Sequence, residues 1–163
     1  MGQMICLAGM PGVGKTTWAK KFCESHPEFL YFSPDEYYGR INGDECNRDH
    51  AFEIWMSMFR DIHTAEIAGH DVIIDSDNLS YAQRCQWIEW FPGFDKHLLF
   101  YMEEDFDTCM ARVSQRKRTI PEVVMRQKWF KWENPWDTLD THEWDAIYLA
   151  KIDEEDGGIC VEL

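Results

Sequence analysis

The chain has 163 residues, 45% of them hydrophobic, and a formal net charge of −14 at pH 7. This length and composition predict one domain with a single core over residues 1–163, and no apolar run approaches the ~18 residues of a membrane span. A charge this negative argues against general nucleic-acid binding, because neutralising phosphates supplies most non-specific affinity.

Taken in chain order, apolar runs that read as buried strands alternate with helical patterns. The opening "MGQMICLAG" has no basic n-region for a signal peptide, and no Ser or Thr follows Gly2 as myristoylation needs. Within it "MICLA" (4–8) predicts a first strand, Lys15 to Ser25 a helix, and "FLYFS" (29–33) a second strand. Asn47 to Ala68 has the spacing of a long helix, with Phe52, Trp55, Met56, Phe59, Ile62 and Ile67 as its apolar set. "HDVIIDSD" gives a third strand, with Gly69 as the helix C-cap before it. Tyr81 to Phe91 reads as a helix, "HLLFYM" (97–102) as a fourth strand, and Phe106 to about Lys117 as a helix. Pro121 suits the first position of another, running to about Trp132. "WDAIYLAKI" (144–152) supplies a last strand, and the acidic tail 153–163 is either frayed or a small terminal strand after Gly157-Gly158. The order predicts an α/β fold: about five strands in a mostly parallel sheet, flanked by helices on both faces. The six cysteines are scattered and none forms a CxxC pair, which fits reduced thiols and a cytoplasmic location.

One stretch carries most of the chemical signal. "GMPGVGKTTW" matches G-x-x-x-x-G-K-[ST] at Gly9, Gly14, Lys15 and Thr16, after a predicted strand and at the start of a predicted helix. Its glycines let backbone N–H groups turn inward around phosphate oxygens, and the helix N-terminus adds partial positive charge. The expected nucleotide contacts are Gly9, Pro11, Gly12, Val13, Gly14, Lys15, Thr16 and Thr17. Lys15 would reach the β- and γ-phosphates of ATP, and Thr16 would hold Mg²⁺. The third strand delivers "DSD" to its carboxyl end, making Asp75 the first choice for a metal contact and Asp77 the second. The second strand ends in "SPDEYY". Ligands of open α/β sheets sit at the carboxyl ends of strands, so Asp35, with Glu36 behind it, is the candidate base for an attacking hydroxyl.

The charge is also unevenly placed. From Glu133 onward ten acidic residues accompany one basic, whereas Arg112 to Lys131 holds seven basic residues and one acidic. That basic segment predicts a small lid whose guanidinium groups stabilise charge on a transferring phosphoryl group. Arg116 and Arg118 lie between two predicted helices, and Arg112 and Arg126 on the helices themselves. Trp129, Trp132, Trp136 and Trp144 read mainly as packing.

"LAGMPGVGKTTWAKKF", "SPDEYY", "VIIDSDNL" and "RVSQR" fall in the order and spacing of the phage polynucleotide 5′-kinase domain. Over most of residues 4–150 the chain resembles that domain and the wider set of small P-loop kinases related to zeta toxins and nucleoside kinases. The resemblance implies a P-loop NTPase fold, ATP binding by Lys15 and Thr16, Asp35 as general base and Arg116 as lid arginine. It departs from the polynucleotide kinases at Pro34 and Tyr38, where they carry arginines, and Asp75 and Asp77 straddle the place of their third-strand acid. The expected activity is transfer of the ATP γ-phosphate to a hydroxyl, first that of a polynucleotide 5′ end. The alternatives are a nucleoside, nucleotide or other small-molecule kinase, and a nucleotide-binding protein without catalysis.

Overall fold

The apolar runs become strands in a computed structural model, which describes residues 2–153, 155 and 157–162. In chain order the elements are β1 (Gln3–Ala8), α1 (Lys15–Ser25), β2 (Phe29–Phe32), α2 (Pro34–Asn42), α3 (Ala51–Ala68), β3 (Asp71–Ile74) and α4 (Tyr81–Trp90). There follow β4 (Lys96–Tyr101), α5 (Phe106–Ser114), α6 (Glu122–Lys131), a 3₁₀ turn at Pro135–Asp137, α7 (Asp140–Glu143), β5 (Ala146–Ile152) and β6 (Ile159–Glu162).

The strands form one sheet in the order β2-β3-β1-β4-β5-β6. The first five are parallel, and β6 joins the edge antiparallel to β5. The sheet is therefore mixed and mostly parallel, with the terminal strand as its sixth member; Glu154, Asp156 and Leu163 of the acidic tail lie outside the described residues. Both faces are covered, as apolar runs such as β1 and β3 require. On one face Met4, Cys6, Val72 and Ile74 pack with Ile54, Met58 and Ile62 of α3 and Trp87 of α4. On the other, Ile5, Leu7 and Ile73 pack with Trp18 and Ala19 of α1, Cys109 and Val113 of α5 and Met125 of α6. No described helix is long and apolar enough to cross a membrane, and all six cysteines are free thiols.

Besides the 3₁₀ turn, α7 and the earlier end of α5 at Ser114, three helices differ from the sequence reading. A helix, α2, follows β2, where "SPDEYY" had suggested only a strand end. Ser33 is its N-cap and Pro34 its first residue, a position where the missing N–H costs nothing. Helix α3 starts at Ala51, not Asn47, because the Asn47 side chain folds back onto the Asp49 amide at 2.9 Å and His50 turns left-handed at φ 57°. Its core stripe is Ile54, Met58, Ile62 and Ala65, whereas Phe52, Met56 and Ile67 are exposed. Pro121 caps α6 from outside instead of opening it.

Candidate active site

The topology sets the site. β1 ends in the glycine loop, and its neighbours β3 and β4 flank it, while the chain leaving α1 passes over β3 to make β2. The carboxyl ends of β2, β3 and β1 thus bring Asp35, the Asp75–Asp77 turn and the loop side by side. One cleft of about 1140 Å³ contains Lys15, Thr16, Asp35, Asp75, Asp77 and Arg116 in its lining.

The loop can take its shape only with glycine. At Gly12 φ is +86°, and a Cβ would lie 2.5 Å from the carbonyl oxygen of Cys109 on α5. At Gly9 φ is +150°, and a Cβ would meet the Met102 carbonyl oxygen at 2.7 Å. Helix α1 begins at Gly14 with no side-chain cap and no acid in its first turn. Its leading N–H groups and positive dipole end are therefore left for an anion. Pro11, Gly12 and Thr17 line the cleft with Lys15 and Thr16, whereas Val13 turns into the core beneath the loop.

Lys15 is 6% exposed and donates to the carbonyls of Gly9 (2.6 Å) and Met10 (3.0 Å) and to Asp77 Oδ1 (3.2 Å). Asp77 Oδ2 takes a second ammonium, from Lys128 of α6, at 2.7 Å. Desolvation in the cleft would raise the Asp77 pKa, but the Lys15 and Lys128 charges outweigh it and hold the carboxyl below its ordinary value. Asp75 has a different task. Its Oδ2 accepts from Thr16 Oγ1 and from Tyr31 OH, each at 2.6 Å. Burial, and next the Asp75 carboxylate, push the Tyr31 phenol well above its usual range, so it stays a donor.

Thr16 and Asp75 therefore form an oxygen pair beside the glycine loop. Among the described residues no group of three or more His, Cys, Asp or Glu forms a metal cage. Hard oxygen ligands few in number suit Mg²⁺, which keeps waters and draws its remaining ligands from phosphates.

Asp35, in the first turn of α2, lines the same cleft. Arg48, from the turn before α3, donates to Asp35 Oδ1 at 2.5 Å, and Arg118, from the α5–α6 segment, donates to the same oxygen at 3.0 Å. Among the described residues nothing donates to Oδ2. The Arg48 Cζ lies over the Tyr38 ring, 4.1 Å from its centroid, and its buried Nε has no partner among the described residues. Lys117 reaches Asp44 at 3.3 Å, so the basic segment is pinned across the cleft to the α2 side.

The remaining sequence candidates separate. Arg116 is exposed on the cleft wall and forms no side-chain hydrogen bond or ion pair among the described residues. Arg112 is on the far side of the loop, donating to the Gly12 carbonyl at 3.2 Å and Glu104 at 3.3 Å. Arg126 pairs with Glu122 at 2.6 Å on its own helix, and Glu36 pairs with Lys20 at 3.5 Å. Arg48, Lys128 and Tyr31 were not singled out from sequence. Arg48 sits in a loop with no motif, and only their basic or aromatic type could have flagged the other two.

Behind the cleft, Arg84 of α4 and Asp140 of α7 form an ion pair with no solvent exposure on either side chain, the Arg84 Nη2 to Asp140 Oδ2 distance being 2.7 Å. Arg84 Nη1 also donates to the carbonyls of Asn78 (3.1 Å) and Leu79 (3.0 Å). Asn78, left-handed at φ 47°, donates to the Leu7 carbonyl at 2.6 Å. The turn carrying Asp75 and Asp77 is thereby fastened to β1 and to α7 together.

A family model described as an AAA domain matches residues 4–131. Among solved structures, the chain is similar to a protein of the Pnkp1/Rnl/Hen1 RNA repair complex, with a TM-score of 0.71 and 16% identity over 80% of this chain and 43% of that one. It therefore spans less than half of that protein. A fungal RNA kinase superposes with a TM-score of 0.67 and 16% identity, over 96% of this chain and 78% of the other. A gluconokinase from Sinorhizobium meliloti 1021 gives 0.56 and 14%, over 82% and 76%. At these identities the likeness is one of fold.

Proposed function

The chain belongs to the AAA domain family over residues 4–131, and from that premise we propose that it is an ATP-dependent kinase acting on a hydroxyl of a small molecule, a nucleoside or nucleotide first. The observation that carries this reading is one cleft whose lining combines Lys15, Thr16 and Asp75 with Asp35. Phosphoryl transfer needs positioning and charge stabilisation more than covalent help, and those are what the residues supply. Loop amides and Lys15 would hold the phosphates, and Thr16 with Asp75 would hold Mg²⁺, which shields phosphate charge when bound. Asp35 Oδ2 would accept the acceptor's proton as its oxygen bonds to the γ-phosphorus and the bond to the β-phosphate oxygen breaks. Arg116, free on the wall, and Arg118 would stabilise the charge on the moving group.

Two features favour a small acceptor. The basic segment crosses the cleft from α5–α6 to Asp35 and Asp44, which suits an enclosed ligand better than a continuous strand. The same cleft is also lined by Trp55, Phe59 and Trp90, with the Phe59 and Trp90 rings 4.8 Å apart, an apolar surface unlike a phosphate track. A polynucleotide 5′-hydroxyl is the second reading, supported by the likeness to the fungal RNA kinase over 96% of the chain.

The test is γ-labelled ATP with Mg²⁺ and a panel of nucleosides, nucleotides, sugars and 5′-hydroxyl oligomers. Label on a small molecule is expected. Label on oligomers alone would move the reading to a polynucleotide kinase, and ATP binding without any transfer would leave a nucleotide-binding protein. Asp35→Asn is expected to lower turnover by about 10²-fold or more, the size of a lost general base, with ATP affinity kept. Turnover at the parent rate would place the base elsewhere.

A further inference from the structure

Two lysines meet on Asp77, and only one of them belongs to the glycine loop. Lys15 Nζ touches Asp77 Oδ1 at 3.2 Å and Lys128 Nζ touches Oδ2 at 2.7 Å. An ammonium has three N–H donors. Lys15 has three oxygen partners, the Gly9 and Met10 carbonyls and Asp77, and the Asp77 contact is the longest of them. A phosphate arriving at Lys15 would displace that contact first. Among the described residues Lys128 has one hydrogen-bond partner, so two of its donors are uncommitted there; its side chain is 30% exposed and lines the cleft.

The position of this pair within the sheet matters. Asp77 follows β3, which lies between β1, carrying the phosphate loop, and β2, leading to Asp35. Inner phosphates held by the loop amides would lie at the β1 end, and a cation held over the β3 end would then meet the outermost phosphate on the side of β2 and Asp35.

We propose that Lys128 is a second phosphate-binding lysine, presented by α6, held in place by Asp77, and directed at the terminal phosphate of a bound nucleoside triphosphate. This rests on the kinase reading for the nucleotide but not for the acceptor. Asp77 works as the bracket: it keeps one ammonium over the site after the other has turned to its ligand.

The test compares ATP with ADP in the full chain, without acceptor, by tryptophan fluorescence titration in the presence of Mg²⁺. Lys128→Ala is expected to weaken ATP by about tenfold or more, and ADP by less than about twofold, as loss of one charge-assisted contact to the third phosphate alone would do. Lys128→Arg should recover part of the ATP preference, because the charge returns in a different shape. Equal effects on both nucleotides, or no effect on either, would overturn the inference whatever the acceptor panel shows. A thermal melt of each variant separates this from unfolding: a merely structural ion pair would lower the melting temperature and leave the ATP-to-ADP ratio alone. If the parent protein binds neither nucleotide, the kinase reading falls and this inference with it.

Discussion

Lys15→Ala is expected to reduce phosphate transfer by about 10³-fold or more, within the range that one cationic or oxyanion-stabilising contact contributes to such reactions. The side chain is buried at the head of α1, and its three hydrogen bonds go to two carbonyls of the glycine loop and to Asp77 of the cleft lining. Removing it leaves the Gly9 and Met10 carbonyls without their cation and Asp77 with Lys128 as its one remaining ammonium partner. Repulsion would then add to the lost attraction, so ATP affinity should fall along with turnover. Lys15→Arg should not restore the rate, because a planar fork does not fit where a point charge meets three converging oxygens. Steady-state kinetics with the labelled-ATP assay, alongside direct titration of ATP, decide it. Near-normal transfer by Lys15→Ala would remove the loop from the mechanism.

The second large effect is on stability. Asp140→Ala is expected to destabilise the fold by about 3–5 kcal/mol, the usual cost of leaving a buried charge without its partner. Asp140 accepts both Arg84 Nε at 3.0 Å and Nη2 at 2.7 Å, and also the Trp144 indole N–H at 3.0 Å. At this chain length such a loss corresponds to a melting temperature lower by roughly 6–20 °C. The double change Arg84→Met with Asp140→Leu should cost markedly less than Asp140→Ala alone, since neither charge is then stranded. Calorimetry or thermal circular dichroism on both variants measures this. A fall of only a degree or two for Asp140→Ala would mean that water or another group reaches Arg84.

Much of the fold was legible because its signals are local. The Lys15–Ser25 helix and the five parallel strands follow from apolar runs and glycine placement, and the loop from its spacing. Helix α2 was hidden because Pro34 reads equally as a turn residue and as a helix opener, and Ser33 holds the N-cap position without a side-chain cap hydrogen bond. Helix α3 carries two apolar stripes, one for the core through Ile54, Met58 and Ile62, and one for the cleft through Trp55 and Phe59. Periodicity reveals that a helix is amphipathic but not which stripe meets the sheet. The candidate residues Lys15, Thr16, Asp35 and Asp75 could be named from the sequence because the glycine-loop spacing or the end of a predicted strand marks each of them. Its pairings were not. Arg48 on Asp35 and Lys128 on Asp77 join positions 13 and 51 residues apart, and nothing in the intervening sequence encodes the contact.

The Arg84–Asp140 pair also bears on how far the working unit extends. The shared family region stops at residue 131, nine residues short of Asp140, and before β5, which pairs with β4. A chain cut at that boundary would keep every motif that names the family. It would nonetheless strip β4 of a neighbour and leave Arg84 charged and unmatched under the Asn78–Leu79 turn. Recognition and competence thus have different borders in this molecule: the stretch by which it is classified is shorter than the stretch by which it stands. Swapping its last strands for those of a relative should therefore succeed only when the arginine's counter-ion travels with them.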